Sequence, residues 1–178
     1  MFFNVREIVI DDYLPAMCEV IRLAFSSVAE EFQLTPQNCR YHPAFLTDSD
    51  LTDSLRRPGV LCFGAFASDN EPVGFAAIWP KEEDAFAMDQ GSIANSPGTY
   101  ELTRLCVLPE HRHAGLGARL MQAASLAAKG QGAHKITIGI IAENERLGRW
   151  YEGHGFRATA VREYRHLPFT VCEMEREV

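Results

Sequence analysis

The sequence predicts an α/β protein with a mixed central β-sheet flanked by helices. Three observations point there. Short β-rich runs and helical runs follow one another in the order β-α-α-β-β-β-α-β-α-β-β. The runs TYELTRLCVL and KITIGII, with a strongly helical stretch between them, form a β-α-β unit, which implies a parallel pair joined by a right-handed crossover. A length of 178 residues, 47% of them hydrophobic and 23% charged, suffices for one well-packed core and is short for two ordinary domains, so one domain over residues 1–178 is expected.

Val5 to Ile10 reads as the first strand, and Asp11 or Asp12 can cap a helix in which Leu14, Met17, Ile21 and Phe25 recur at helical spacing. From Ser26 to Thr47 the pattern turns irregular, broken by Pro36, Pro43 and the run QNCRYH, which predicts loop and helix fragments of the kind that shape binding sites. Asp48, Ser49 or Asp50 can cap a brief helix through Arg57, ended by Pro58-Gly59. Residues 60–79, VLCFGAFA and VGFAAIW around the turn SDNEP, read as a hairpin. The connection from Pro80 to Thr99 is polar and punctuated by Gly and Pro, long enough to be a flap or partly mobile. The strand TYELTRLCVL then leads through Pro109 to a helix from about Leu116 to Lys129, closed by Gly130 and Gly132, and to the strand KITIGII. Asn144 can cap a last helix through His154, and strands near 156–164 and 170–176 complete the chain.

Composition excludes several function classes. With 17 basic and 24 acidic residues the formal net charge is −7 and no long basic run exists, so nucleic acid is not an expected partner. The opening MFFNVREIVIDD lacks a basic stretch before an apolar run, and no apolar stretch approaches the roughly 18 residues needed to cross a bilayer. A cytoplasmic protein with no membrane partner is expected. Cys18, Cys39, Cys62, Cys106 and Cys172 are scattered and odd in number, which suits free thiols. Cys39-x-x-His42 and His111-x-His113 lack the ligand spacing of a zinc site, so no metal is expected.

The run RHAGLG at residues 112–117 lies between a strand and a helix, where free backbone N–H groups and the positive end of the helix dipole form an anion site. Gly115 and Gly117 carry no Cβ to block close approach, so a diphosphate could rest on the amides of residues 113–118. A P-loop would need a Gly-Lys-Ser/Thr ending, and the dinucleotide pattern fails because Leu120 stands where its last Gly belongs. A plain turn into a helix remains the alternative on the loop alone.

The longer set ELTRLCVLPEHRHAGLGARLM and IGIIAENERLGRWYEGHGF resembles the core of the GNAT superfamily of N-acetyltransferases. Arg112, Gly115 and Gly117 match its pyrophosphate motif Q/R-x-x-G-x-G/A; Val107 and Pro109 match the preceding V-x-P; Asn144, Tyr151, Gly155 and Phe156 match the later Asn and Tyr-x-x-x-Gly-Phe. The match covers about residues 100–157, the expected cofactor-binding core. The resemblance implies a sheet splayed between its fourth and fifth strands, with the pantetheine arm of acetyl-CoA lying in the gap. It assigns pantetheine to backbone groups of Leu105, Cys106 and Val107 and to Asn144, and pyrophosphate to the loop of Arg112, His113, Ala114, Gly115, Leu116, Gly117 and Ala118. An open strand edge suits this, because a pantetheine amide pairs as a peptide does.

Acetyl transfer needs an unprotonated amine, a polarised carbonyl and a proton for the leaving thiolate. Tyr151 shares a helix face with Leu147 and Asn144 that the family turns toward the cofactor, and a phenol of pKa about 10 is a suitable acid; a packed core tyrosine is the alternative. Glu101 resembles the Glu that some relatives carry on this strand and is the candidate base, directly or through a water; an exposed strand glutamate that attracts a cationic amine is the alternative. Among the histidines, His42 and His166 rank above His154, because the segments RYHPAF and YRHLPFT resemble those of a subgroup of the family and, with Asn38 and Phe45, are expected to line the acceptor pocket.

The expected acceptor is a primary amine of a small molecule or a peptide, bound between residues 31–46, the 80–99 connection and the HLPF turn at 166–169. Glu30, Glu31 and Glu101 favour a cation, and Phe45 and Phe169 offer apolar walls, while Arg40 and His42 leave a carboxylate-bearing acceptor open. Direct transfer is expected over a covalent route, since neither Cys106 nor Cys172 has a flanking histidine. A coenzyme A sensor without catalysis, or a transferase of another acyl group, would share the same fold. A monomer or homodimer is expected.

Overall fold

The computed structural model describes residues 2–81 and 98–178. Most of the connection expected to be a flap or partly mobile, residues 82–97, lies outside them.

Strand β1 (Asn4–Ile8) leads into helix α1 (Ile10–Glu31). The helix begins before Asp11 and Asp12, which lie in its first turn rather than at its cap, where their charge favours the positive helix end. It also runs on to Glu31, through residues expected to be irregular. Ser26 and Ser27 turn their hydroxyls back onto the carbonyls of Leu23 and Ala24, and so remain compatible with the helix. Helix α2 (Asp48–Leu55) is capped by Thr47, one residue before the expected candidates, in a reciprocal capping box with Asp50.

Strands β2 (Leu61–Phe66), β3 (Pro72–Pro80) and β4 (Thr99–Val107) follow, then helix α3 (Leu116–Gly130), strand β5 (Lys135–Ile141), helix α4 (Glu145–Glu152) and strands β6 (Arg157–Glu163) and β7 (Thr170–Glu177). They form one seven-stranded sheet in the order β1-β2-β3-β4-β5-β7-β6. Every pairing is antiparallel except β4 with β5, the parallel pair that the crossover through α3 requires.

Period-2 alternation splits the inward side chains between two cores. Ala76, Ile78, Tyr100, Leu102 and Ile136 face Leu116, Leu120, Met121 and Ala124 of α3. Cys62, Phe75 and Ala77 face Met17, Cys18 and Ile21 of α1 and Leu51 and Leu55 of α2. Each such fully buried Leu or Ile contributes about 1.5–3 kcal/mol, which fixes both helix layers against the sheet. All five cysteines are free thiols. No helix among the described residues is long and apolar enough to cross a membrane.

Candidate active site

Beyond Val107 the chain makes a single 3-10 turn, Pro109–His111, and then enters α3 through two residues in the left-handed region, His113 (φ 64°) and Gly115 (φ 75°). The first helical bond is made by Arg119 N–H to the Gly115 carbonyl, and no side chain caps the helix. Among the described residues, the N–H groups of His113 through Ala118 therefore have no acceptor, and they converge at the positive end of a 15-residue helix. A Cβ at Gly115 would meet no atom within 4 Å, so the cradle is open on that side. Leu116, 1% exposed, anchors the loop in the core, and the α4 side chain Trp150 stands 3.6 Å from where a Gly117 Cβ would be.

The Arg112 side chain turns inward. Its Nε donates to the Val107 carbonyl (3.1 Å), and Nη2 donates to the Ala24 carbonyl (2.8 Å) and Ser27 Oγ (2.9 Å). It staples the cradle to the end of β4 and to α1, so its place in the motif is first structural.

Strands β4 and β5 pair only at Thr99 with Lys135, Tyr100 with Ile136 and Glu101 with Thr137. Past these, β4 stays with β3 through Val107 and β5 stays with β7 through Ile141, which leaves two facing strand edges unpaired. The divergence coincides with a β-bulge. Phe75 faces Cys106 and Ala77 faces Thr103, so Ala76 alone spans Arg104 and Leu105, and Arg104 has φ 50°. The expected pantetheine strand, Leu105 to Val107, forms one lip of this gap.

Asn144 caps α4 by accepting from Leu147 N–H (3.1 Å), a task that uses its oxygen and leaves its amide nitrogen uncommitted. Tyr151 is 6% exposed, packed edge-on against Trp150 (4.9 Å) and Phe156 (5.3 Å). Burial pushes its phenol well above the ordinary tyrosine value, with a smaller contribution from the nearby Cys106, so it holds its proton at neutral pH. Burial likewise pushes the Cys106 thiol up to about 12. Among the described residues the Tyr151 hydroxyl makes no hydrogen bond.

On the α1/α2 face of β4, Glu101 lies opposite Trp79 in register and accepts from its indole N–H (3.2 Å). Arg104 lies on the same Trp79 ring, its guanidinium carbon 5.5 Å from the centroid. Arg104 Nε and Nη1 are buried without a hydrogen-bond partner among the described residues. Sequence reasoning passed over this residue; a charged side chain interrupting an otherwise apolar strand was the available signal.

The expected acceptor-side residues are placed differently from one another. His42 is 8% exposed, between the rings of Phe25 (5.7 Å) and Phe45 (5.8 Å), and burial pulls its imidazole down to about 4. Asn38 is exposed but bound into a local turn, accepting from Thr35 N–H (2.8 Å) and donating to the Gln33 carbonyl (3.2 Å). Phe45 packs in one cluster with Leu167, Phe169 and Ile141, which brings the 31–46 segment and the late turn together over the end of β5. His166 is exposed in that turn against Tyr164 (5.9 Å). His154 hydrogen-bonds the Trp150 carbonyl. Glu31 forms an ion pair with Arg146 (3.7 Å). Among the described residues no group of three or more His, Cys, Asp or Glu side chains is arranged to hold a metal.

A sheet parted between two parallel strands, with an amide cradle at the mouth of the parting, is the architecture of acetyltransferases of the GNAT type. The model of the acetyltransferase (GNAT) family matches residues 25–156, and the chain belongs to that family. It is therefore an acyltransferase of a family that uses acetyl-CoA and acts on amines. Among solved structures, the ribosomal-protein-S18-alanine N-acetyltransferase of Escherichia coli is similar at a TM-score of 0.70 and 15% identity, over 99% of this chain and 94% of the other. The PaiA N-acetyltransferase of Thermoplasma acidophilum, determined with coenzyme A, is similar at 0.66 and 22% over 100% of both chains. A GNAT acetyltransferase of Staphylococcus aureus is similar at 0.68 and 15% over 99% of both. At these identities the likeness is one of fold. The comparison with curated proteins returns no match.

Proposed function

We propose that the protein transfers an acetyl group from acetyl-CoA directly to a primary amine of a small molecule or a peptide. The observation that carries this reading is the run of free N–H groups from His113 to Ala118 beside an unpaired β4 edge. These groups suit the donor's diphosphate and its pantetheine amides respectively, and the open side of Gly115 leaves room for the first. Arg112 holds the loop in shape, backbone groups of Leu105, Cys106 and Val107 pair with the arm, and the free amide nitrogen of Asn144 reaches it from α4.

When bound, the thioester supplies an activated acetyl group and a thiolate leaving group. Tyr151, protonated and lacking a hydrogen-bond partner, donates a proton to the leaving sulfur. Glu101, held by Trp79, takes the proton that the amine loses, directly or through a water. Cys106 and Cys172 are both raised by burial, and at neutral pH a buried thiol of this kind is a poor nucleophile, which favours direct transfer. Phe45 and the turn carrying His166 wall the acceptor mouth, while Asn38 and the neutral His42 support that wall from behind.

The test is release of free thiol from acetyl-CoA in the presence of a panel of amines, alongside calorimetric titration with coenzyme A. Amine-dependent thiol release with a mass increase of the amine is the expected result. Binding of coenzyme A with no turnover on any amine would instead mark a sensor, and faster turnover with longer acyl-CoA donors would move the acyl group.

A further inference from the structure

Glu101 and Arg104 stand three residues apart on one face of β4, with opposite charges, and do not pair with each other. Glu101 is engaged by the Trp79 indole, and Arg104 lies on the Trp79 ring with two buried nitrogens lacking any partner among the described residues. A guanidinium stays charged even when burial works against it, as burial does here, and a buried donor without an acceptor is destabilising. The backbone adds to the cost, since a non-glycine residue in the left-handed region is disfavoured. Costs of this kind concentrate where a side chain is held ready for a ligand.

Position identifies the ligand's side. Arg104 lies three residues past the last β4–β5 pair, at the start of the gap, on the α1/α2 face opposite the α3 core. Cys106, two residues further along the strand, pairs with Phe75 and packs against both cores, so Arg104 stands at the start of the expected pantetheine lip.

We infer that Arg104 binds a carboxylate of the acceptor, and that the amine acetylated by this protein is an amino acid or another small amine bearing a carboxylate close to its nitrogen. The inference rests on the amine-transfer reading above. A planar carboxylate matches the guanidinium fork and satisfies its orphaned donors. Glu101 faces the ammonium end of the same molecule, so two charges of the strand that form no ion pair with each other meet the two charges of a zwitterion.

The experiment compares amino acids with their decarboxylated counterparts, phenylalanine with phenethylamine for example, on wild type, Arg104→Gln and Arg104→Gly. The second variant removes the side chain while suiting the left-handed backbone, so a folded protein is available if the first is unstable. The expected result is a kcat/KM for the carboxylate-bearing partner that exceeds the other by at least about tenfold in wild type, falling to near parity in both variants with coenzyme A affinity unchanged. Equal losses on both partners, or a wild-type preference for the decarboxylated amine, would overturn the inference and leave amine transfer standing. Should no amine of either kind turn over, the amine-transfer reading fails instead. N-acetylphenylalanine and N-acetylphenethylamine titrated onto the coenzyme A complex then decide the carboxylate site by binding alone: only the former should bind, and only with Arg104 present.

Discussion

His42 illustrates how tertiary neighbours reassign a side chain. Its segment reads as polar, yet the ring sits between Phe25 and Phe45 and is neutral down to about pH 4. An unfolded histidine binds a proton near pH 6.5 that the folded one refuses, so its contribution to stability is complete above pH 6.5 and is lost as the pH falls toward 4. His42→Gln, which keeps a polar acceptor without the charge change, should remove a pH-dependent loss of about 1–3 kcal/mol from denaturant-melt stabilities between pH 7 and 4, the upper figure being the unscreened limit. Equal slopes in the two proteins would place the ring in water. Tyr151→Phe tests a different property of a buried ring. It keeps the contacts to Trp150 and Phe156 and deletes only the hydroxyl, so kcat should fall by roughly 10²-fold, and at most 10⁴, while coenzyme A affinity stays put. Unchanged turnover in a chemistry-limited assay would make the tyrosine a packing residue.

Elements written in contiguous sequence were legible; those set by distant neighbours were not. The cradle could be read because six successive residues and the helix behind them carry it, and the Asn144 cap because its bond is local. Helix α1 was read short because Pro36, Pro43 and the polar run beyond it blur where the helix ends, whereas one of the serine hydroxyls near that end is held by Arg112, 85 residues away. The Thr47 cap was missed among three acidic or hydroxyl candidates one to three residues later. The cluster around Trp79 was least legible: Trp79, Glu101 and Arg104 come together only when β3 and β4 pair with a bulge, and no sequence period announces a bulge. At the mouth of α3, Gly117→Asp separates stability from binding. Its Cβ has ordinary room beside Trp150, and a carboxylate in the first turn favours the helix, so Tm should hold or rise. The same carboxylate repels a diphosphate on the amides. Calorimetry should therefore show coenzyme A binding weakened at least about tenfold, and unchanged affinity would remove the phosphate from this loop.

At the scale of the whole molecule, Arg112 joins parts that the chain keeps far apart: α1, the end of β4 and the cradle. Arg112→Ala strands the Val107 and Ala24 carbonyls and should lower stability by roughly 2–4 kcal/mol and coenzyme A affinity with it. Arg112→Lys, a single point charge without the fork, should restore little of either. A thermal melt that leaves Arg112→Ala level with wild type would dissolve the staple. The sheet itself has a seam. Two rafts of strands, four on one side and three on the other, are lashed together by three residue pairs at one end and drift apart from there. In heavy water the interiors of the rafts should exchange their amides slowly whether or not coenzyme A is present, while the inner margins along residues 102–107 and 138–141 should exchange quickly alone and slowly with it. With acetyl-CoA in the seam, as proposed, the reactant would supply part of the protein's cohesion, and its rigidity in the cell should follow the supply of that reactant.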